Sequence, residues 1–411
     1  MVPPSAATIA AIPVTAADII AEVTALVPSP SMSVLHLVNA RLPEVITEHD
    51  LKRFQAGRHL VNAEITGTLP QVLEGPIPHR TWLASLQMEL AKAQKSRRKV
   101  TAIKHPTKAN LVLPLWALPV WDSIAVASQE RMLWAEANDW LRPGEHRPDD
   151  QELVEEARGL MERIPWGMKA WALYGNDAES HMGFLAIFLS ISWLAERNLD
   201  IMGVCCNAAA AENGDPVIAY MAPVHLGSQL QWAAEWDDEK VKTNRDLCEF
   251  RDTILEKGYR YIHIPANLAN AHWVVFLMDV EEKSYCWGVL LLSIHPDALL
   301  IPRLGPGDSM SVDLYADHIA AVARGLERWT EAAFGTRFAK VGRGKDYKIG
   351  KQPDTHSCGV CVINAIKAAI HGDNLFTAET SSKHRLEHFN EAANYLLRKV
   401  CLLSAMHGCT H

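Results

Sequence analysis

The chain has 411 residues, 48% of them hydrophobic, and 40 Lys+Arg against 48 Asp+Glu give a net charge of -8. That length leaves room for two or three domains with a sizeable core, and the acidic balance argues against general nucleic-acid affinity. No apolar stretch runs through roughly eighteen residues, so no membrane span is expected, and eight irregularly spread cysteines point to a reducing, intracellular setting, nucleus or cytoplasm, rather than to a disulfide framework.

Residues 1–30 are rich in Ala, Pro, Val and Thr and read as a disordered leader with a short helix at Ala16–Val27. They lack the basic start of a secretory signal. Residues 31–165 read as a mainly helical region in which no chemistry is recognisable. Within it, Trp82 to Lys108 is helix-like and carries Lys92, Lys95, Arg97, Arg98, Lys99, Lys104 and Lys108. If nucleic acid or an import receptor is bound anywhere, it is at this basic segment, 92–108; a solvated helix end is an equally good reading. Leu111–Trp121 and Gln129–Leu141 crowd apolar and aromatic residues, Arg142–Asp150 is a turn-rich break, and an acidic helix is expected at Gln151–Arg163.

From Trp166 the pattern alternates. It predicts a helix through His181–Leu199, strands near Ile201–Cys205 and Val217–Ala222, and a helix at Arg245–Glu256. Three clustered strands follow at Tyr261–Ile264, His272–Asp279 and Tyr285–Leu292. A long helix at Asp313–Phe334, a Gly-rich link at Val341–Lys345 and a helix at Lys383–Leu403 complete the series. Helices in runs beside a clustered sheet indicate an α+β fold, not a doubly wound parallel sheet. There is no fixed-period repeat and no Gly-rich phosphate loop.

The chemistry concentrates in Gln352-Pro-Asp-Thr-His-Ser-Cys358-Gly359. Val362, Ile363, Ile366 and Ile370 recur at helical spacing before Gly372, which places Cys358 at a helix N-terminus. There, unpaired N–H groups and the positive end of the helix dipole favour a thiolate, the nucleophilic form of cysteine. Gln352, six residues upstream, is placed to donate to an oxyanion. The base best placed by pattern is His272, which opens a continuous apolar strand.

Blander readings stand beside these. Cys358 and Cys361 form a Cys-x-x-Cys pair with His356 nearby, which elsewhere signals a redox dithiol or half a zinc site. No second pair follows, no thioredoxin-like context surrounds it, and Cys361 lies about 300° round the helix from Cys358. His407, Cys409 and His411 read as a frayed tail. No metal site and no cofactor are therefore expected. Taken alone, Trp193 and Trp273 read equally well as core aromatics.

At Ala271-His272-Trp273 and at Gln352, five residues, Cys358-Gly359, the chain resembles the SUMO-specific, ubiquitin-like-protein-processing cysteine proteases, a papain-like family. The resemblance covers about residues 166–411. It implies a papain-like fold in which a central, mostly antiparallel sheet is packed by helices, and cleavage after the Gly-Gly tail of SUMO or a related modifier. Cys358 is then the nucleophile, His272 the general base and Gln352 the oxyanion donor, with Trp273 and Trp193 lining a tunnel for the tail. Trp193 is matched through Ser192-Trp193-Leu194, a segment that family places on a helix. Where the family carries the aspartate that orients its histidine, this chain reads Trp287-Gly288-Val289-Leu290. Asp297 in the following loop is one substitute for it. The departure keeps open a binding module that grips a ubiquitin-like protein without cleaving it, and the Cys-His pair also suits acyl transfer.

Overall fold

The computed structural model describes residues 27–46, 56–66, 76–108, 110–169, 181–212, 219–288, 312–341, 347–350, 352 and 354–408. The chain divides into two compact units: residues 1–135 with 161–169 and 181–183, and residues 136–160 with 170–180 and 184–411. The Ala16–Val27 helix, Val289, Asp297, most of the Gly-rich link and Cys409 to His411 lie outside the described residues, apart from Val27 at the helix end and Val341 at the link's start. No helix of the described residues is long and apolar enough to cross a membrane.

In the first unit, α1 (Val34–Asn39) precedes the short strand β1 (Leu60–Val61), which pairs antiparallel with β2 (Ala102–Lys104), and β2 pairs with β3 (Val112–Pro114). Between β1 and β2 runs α2 (Arg80–Lys95), which buries Trp82, Leu83 and Leu86. The helix-like reading of Trp82 to Lys108 therefore ends too late. Arg97 adopts a positive φ of 56° and breaks the helix, and Ile103 enters a strand with no exposure. The helix α3 (Ala117–Trp140), whose last residues belong to the second unit, buries Trp121, Ile124 and Trp134, and α4 (Gln151–Arg163), most of it in the second unit, has the predicted limits.

The second unit is built on one sheet. Nearly continuous burial on both faces, matching their apolar runs, marks β5 (Tyr261–Leu268) and β6 (His272–Asp279), paired antiparallel from Tyr261↔Asp279 to Leu268↔His272. β7 (Ser284–Gly288) continues the antiparallel ladder on β6. One short parallel strand closes each edge: β4 (Ala219–Met221) beside β5 and β8 (Ala339–Lys340) beside β7. The order is β4-β5-β6-β7-β8. With the helices around it this is an α+β fold with a mostly antiparallel sheet.

Before the sheet come α5 (Glu196–Glu212), α6 (His225–Ala233), α7 (Asp238–Thr243) and α8 (Arg245–Lys257). After it come α9 (Val312–Phe334), α10 (Cys358–His371) and α11 (Ser381–Gly408). One sheet face, carrying Ile262, Ile264, Val274, Phe276 and Met278, forms a core with Leu226 and Leu230 of α6 and Ile319, Val322, Leu326 and Trp329 of α9. On β6 also packs α10, with α5 and α11 against its other sides. Its residues from Cys358 to Ile366 are all buried, which explains an apolar pattern broader than one stripe.

Two expectations fail here. Ile201–Cys205 is helical, inside α5, and His181–Leu199 is not one helix. It holds a 3₁₀ stretch, Met182–Leu189, then an irregular segment that ends where α5 starts at Glu196. A five-residue apolar run fits strand or helix equally, and the flanking Glu196–Asp200 and Ala208–Ala211, good helix formers on the whole, decide for helix.

Candidate functional site

His272 is placed by a tight hairpin. Ala269 and Asn270 both adopt positive φ, 55° and 56°, and the Ala271 N–H donates to Leu268 O at 3.0 Å. Two left-handed central residues match the right-handed twist of the strands they join, and an alanine there holds a conformation that L-residues resist. The strand restarts at His272, with its ring buried at 4% exposure.

Cys358 is the first residue of α10, as its spacing predicts. Asp354 builds the turn ahead of it. Its Oδ1 accepts from the N–H groups of His356 and Ser357 at 2.8 and 2.7 Å, and its Oδ2 accepts from the Ser357 hydroxyl at 2.8 Å. Burial pushes the Asp354 carboxyl up, but these hydrogen bonds outweigh it and hold the group below its usual range. The Asp-x-x-Ser pattern is a turn signal that the sequence reading passed over. Gln352 is buried at 1% exposure and donates from Nε2 to Asp354 Oδ1 at 3.3 Å; its Oε1 has no partner among the described residues.

The backbone N–H of Trp273, the residue beside His272, comes close enough to the Cys358 sulfur to lower its thiol. That contact joins the helix start to the head of β6. Cys358 is 1% exposed, and burial pushes its thiol above the ordinary value although the N–H groups of Trp273, Gly359 and Cys358 itself pull it down. The Asp354 charge adds to the upward shift. The thiolate expected at the helix N-terminus is thus a thiol in this closed state. His272 is pushed down to about 4 by burial, so thiol and imidazole are both neutral at pH 7. Among the described residues no hydrogen bond joins the two, and His272 Nδ1 is buried without a partner. Its ring instead lies nearly parallel to Tyr315 of α9, centroids 5.1 Å apart and planes 16° apart. Tyr315 lies 43 residues from Cys358 and 43 from His272 in sequence, and no local pattern marks it.

Trp273 and Trp193 occupy different surroundings. Trp273 is 2% exposed, and its Nε1 donates to Leu194 O at 2.9 Å. Trp193 is 40% exposed and lies in the irregular segment before α5, not on a helix. This segment is fastened from several sides. Arg385 of α11, 2% exposed, donates to Ile187 O and Ser192 O at 3.3 and 3.0 Å, and burial lowers its guanidinium to about 10. Asn198 accepts from the Ala195 N–H at 3.0 Å and donates to Phe184 O at 2.8 Å. Gly359 lets the segment approach the helix start, because a Cβ there would lie 2.9 Å from Leu194 Cβ and 3.3 Å from Trp273 Cδ1.

Trp273 and Leu194 therefore close on the helix start that carries Cys358, Gln352 joins the turn ahead of it through Asp354, His272 adjoins Trp273 on β6 with its ring on Tyr315, and Trp193 is one residue from Leu194. No protein-family model and no curated protein matches the chain. Among solved structures it is similar to the SUMO protease Ulp1 with the catalytic cysteine oxidized to a sulfonic acid, at 15% identity over 62% of this chain and 99% of that one, TM-score 0.37. It is also similar to the C-terminal Ulp1 protease domain in complex with Smt3, the yeast ortholog of SUMO, at 15% identity over 60% and 94%, TM-score 0.37.

Metal binding finds no support in the cysteine pair. Cys361 has no exposure, and His356 turns to Asp354, with Nε2 3.5 Å from Oδ2. Among the described residues no group of three or more His, Cys, Asp or Glu side chains is arranged to hold a metal.

The buried histidines are expected to make the second unit acid-sensitive. Burial lowers His263 to about 3 and His272 to about 4, against 6.5 for the free side chain. The unfolded chain therefore takes up protons first, and stability present above pH 6.5 is lost as pH falls toward the folded values. Between pH 6.5 and pH 5 each contributes a loss of about 2 kcal/mol. Hydrogen exchange of β5 and β6 amides, corrected for intrinsic rate, is expected to show opening at least about 100-fold more favourable at pH 5. An unchanged opening free energy would mean that these rings are hydrated.

Proposed function

We propose that the protein is a cysteine-type peptidase or isopeptidase that cleaves after the Gly-Gly tail of SUMO or a related ubiquitin-like modifier, with residues 166–411 as its catalytic region and an intracellular site of action, nucleus or cytoplasm. The observation that carries this reading is Cys358 as the first residue of α10, where Gly359 lets the helix start close on Trp273, the residue beside His272. In this reading Cys358 attacks the tail carbonyl, its own N–H and the Gln352 amide stabilise the oxyanion, and His272 passes the thiol proton to the leaving amine. Water then hydrolyses the thioester. Gln352 Nε2 gives one N–H to Asp354 Oδ1 and has a second for the oxyanion. Trp193 supplies an exposed indole where an extended glycine tail enters.

The Nδ1 of His272, which has no partner among the described residues, favours a second reading. Without an acceptor the imidazolium loses its support, and loss of that partner in a serine triad costs about four orders of magnitude. The protein is then a protease-fold module that holds a ubiquitin-like protein without cleaving it. Purified protein mixed with ubiquitin-like modifiers that carry a C-terminal electrophile separates the two. A covalent adduct supports the peptidase and names its modifier. Saturable binding with no adduct moves the assignment to the binding module, and neither binding nor adduct with any modifier rejects both.

A further inference from the structure

We propose that Tyr315 is a positioning residue for His272: its ring face fixes the imidazole plane and supports the imidazolium at a histidine whose Nδ1 has no acceptor among the described residues. This inference rests on the peptidase reading of the same site, but it concerns the resting protein and is tested there.

The two rings lie nearly parallel at 5.1 Å, with planes 16° apart, and both residues are buried, His272 at 4% and Tyr315 at 8% exposure. A free imidazole on a strand terminus turns about its terminal torsion within a broad, two-fold well. A hydrogen-bonded carboxylate ordinarily removes that freedom and fixes the tautomer. A stacked phenol removes the rotation by a different route, because any large turn of the imidazole drives its edge into the tyrosine face. The phenol face is also the negative end of the ring quadrupole, so it attracts the imidazole more strongly once protonated. That is the state which forms when the thiol proton moves to His272.

Placement supports a role beyond filling space. Tyr315 sits in the first turn of α9, and Ile319, Val322, Leu326 and Trp329 behind it anchor that helix in the core of the sheet. The ring is thus carried on a rigid element. Its hydroxyl lies close enough to Cys358 for a thiolate there to raise the phenol, which burial already raises. The titratable group stacked on His272 is Tyr315 from α9, and the Cys358 charge acts on that same Tyr315; burial alone accounts for the downward shift of His272, with no charged side chain among the described residues contributing.

The test is an NMR titration of the intact protein with labelled histidine, the His272 signal assigned by its loss in His272→Gln. Tyr315→Leu keeps the surroundings apolar but removes the aromatic face. If the face supports the imidazolium, His272 titrates about half a unit to one unit lower in Tyr315→Leu, and Tyr315→Phe restores the native value. If Tyr315 only excludes water, its removal relieves desolvation and His272 titrates higher; that result, or no change, overturns the proposal. Should Tyr315→Leu fold poorly by its thermal midpoint, Tyr315→Met gives the same comparison. In a cleavage assay the leucine variant is expected to lose about tenfold in kcat with KM unchanged, and a loss in KM alone counts against positioning. Failure of the peptidase reading shows separately, as native protein that neither cleaves nor forms an adduct while its histidine titration still depends on the Tyr315 face.

Discussion

Cys358→Ala is expected to remove covalent adduct formation altogether and to lower turnover by about 10⁵-fold or more, with binding of the modifier retained. The magnitude follows from removing a nucleophile outright, since the residual rate then comes from positioning and oxyanion stabilisation alone. Binding survives because the substitution removes only one buried sulfur from the resting site. Cys361 cannot take over. It has no exposure, and burial pushes its thiol up. Cys361→Ala is accordingly a packing change whose effect appears as lost stability, not as a lost adduct. Cleavage that persists in Cys358→Ala, or an adduct that moves with Cys361, sinks the assignment.

The resting site also constrains how such chemistry proceeds. A thiol raised by burial and a histidine lowered to about 4 are mismatched for proton transfer, so in the peptidase reading the proton moves as the carbonyl is attacked and not before. Substrate must also open a path to a sulfur that is 1% exposed. The segment through Trp193 is fastened by Arg385, Asn198 and Trp273 Nε1, so that opening acts against a defined set of hydrogen bonds.

What could be read in the sequence were features with a local cause. The helix beginning at Cys358, the strand beginning at His272 and the helix Gln151–Arg163 each carry their own periodicity and stop signals, and they stand where the pattern places them. Features settled by tertiary contacts could not be read. Ile201–Cys205 looks like a strand until the surrounding α5 is seen. The Tyr315 ring meets His272 only because α9 crosses the sheet, and Arg385 serves carbonyls nearly two hundred residues away. The elevated thiol is a tertiary effect as well: the helix terminus lowers it, as the sequence suggests, but the sequence does not show how deeply the terminus is buried.

Gly325→Ala is expected to be among the most damaging single methyl additions in the second unit, at about 3 kcal/mol or more. Gly325 lies in α9 where it crosses α6. A Cβ built there falls 1.7 Å from Leu230 O and 2.7 Å from Leu230 C, with Ala234 N at 3.2 Å. All three are backbone atoms, so no side chain can rotate out of the way and the helices must separate. Separation loosens the core around Leu226, Leu230, Val322 and Leu326. It also shifts the helix that carries Tyr315, so adduct formation at Cys358 should fall in parallel. A thermal midpoint lower by roughly 10 °C is the expected readout. Gly159→Ala provides the contrast. Gly159 is likewise helical, in α4, but nothing lies within 4 Å of the added carbon, so the better helix propensity of alanine should stabilise the protein by up to about 1 kcal/mol. The two substitutions are chemically identical and opposite in sign. If both were mild, α6 and α9 could not cross as closely as described, and the rigid placement of Tyr315 would fail with it.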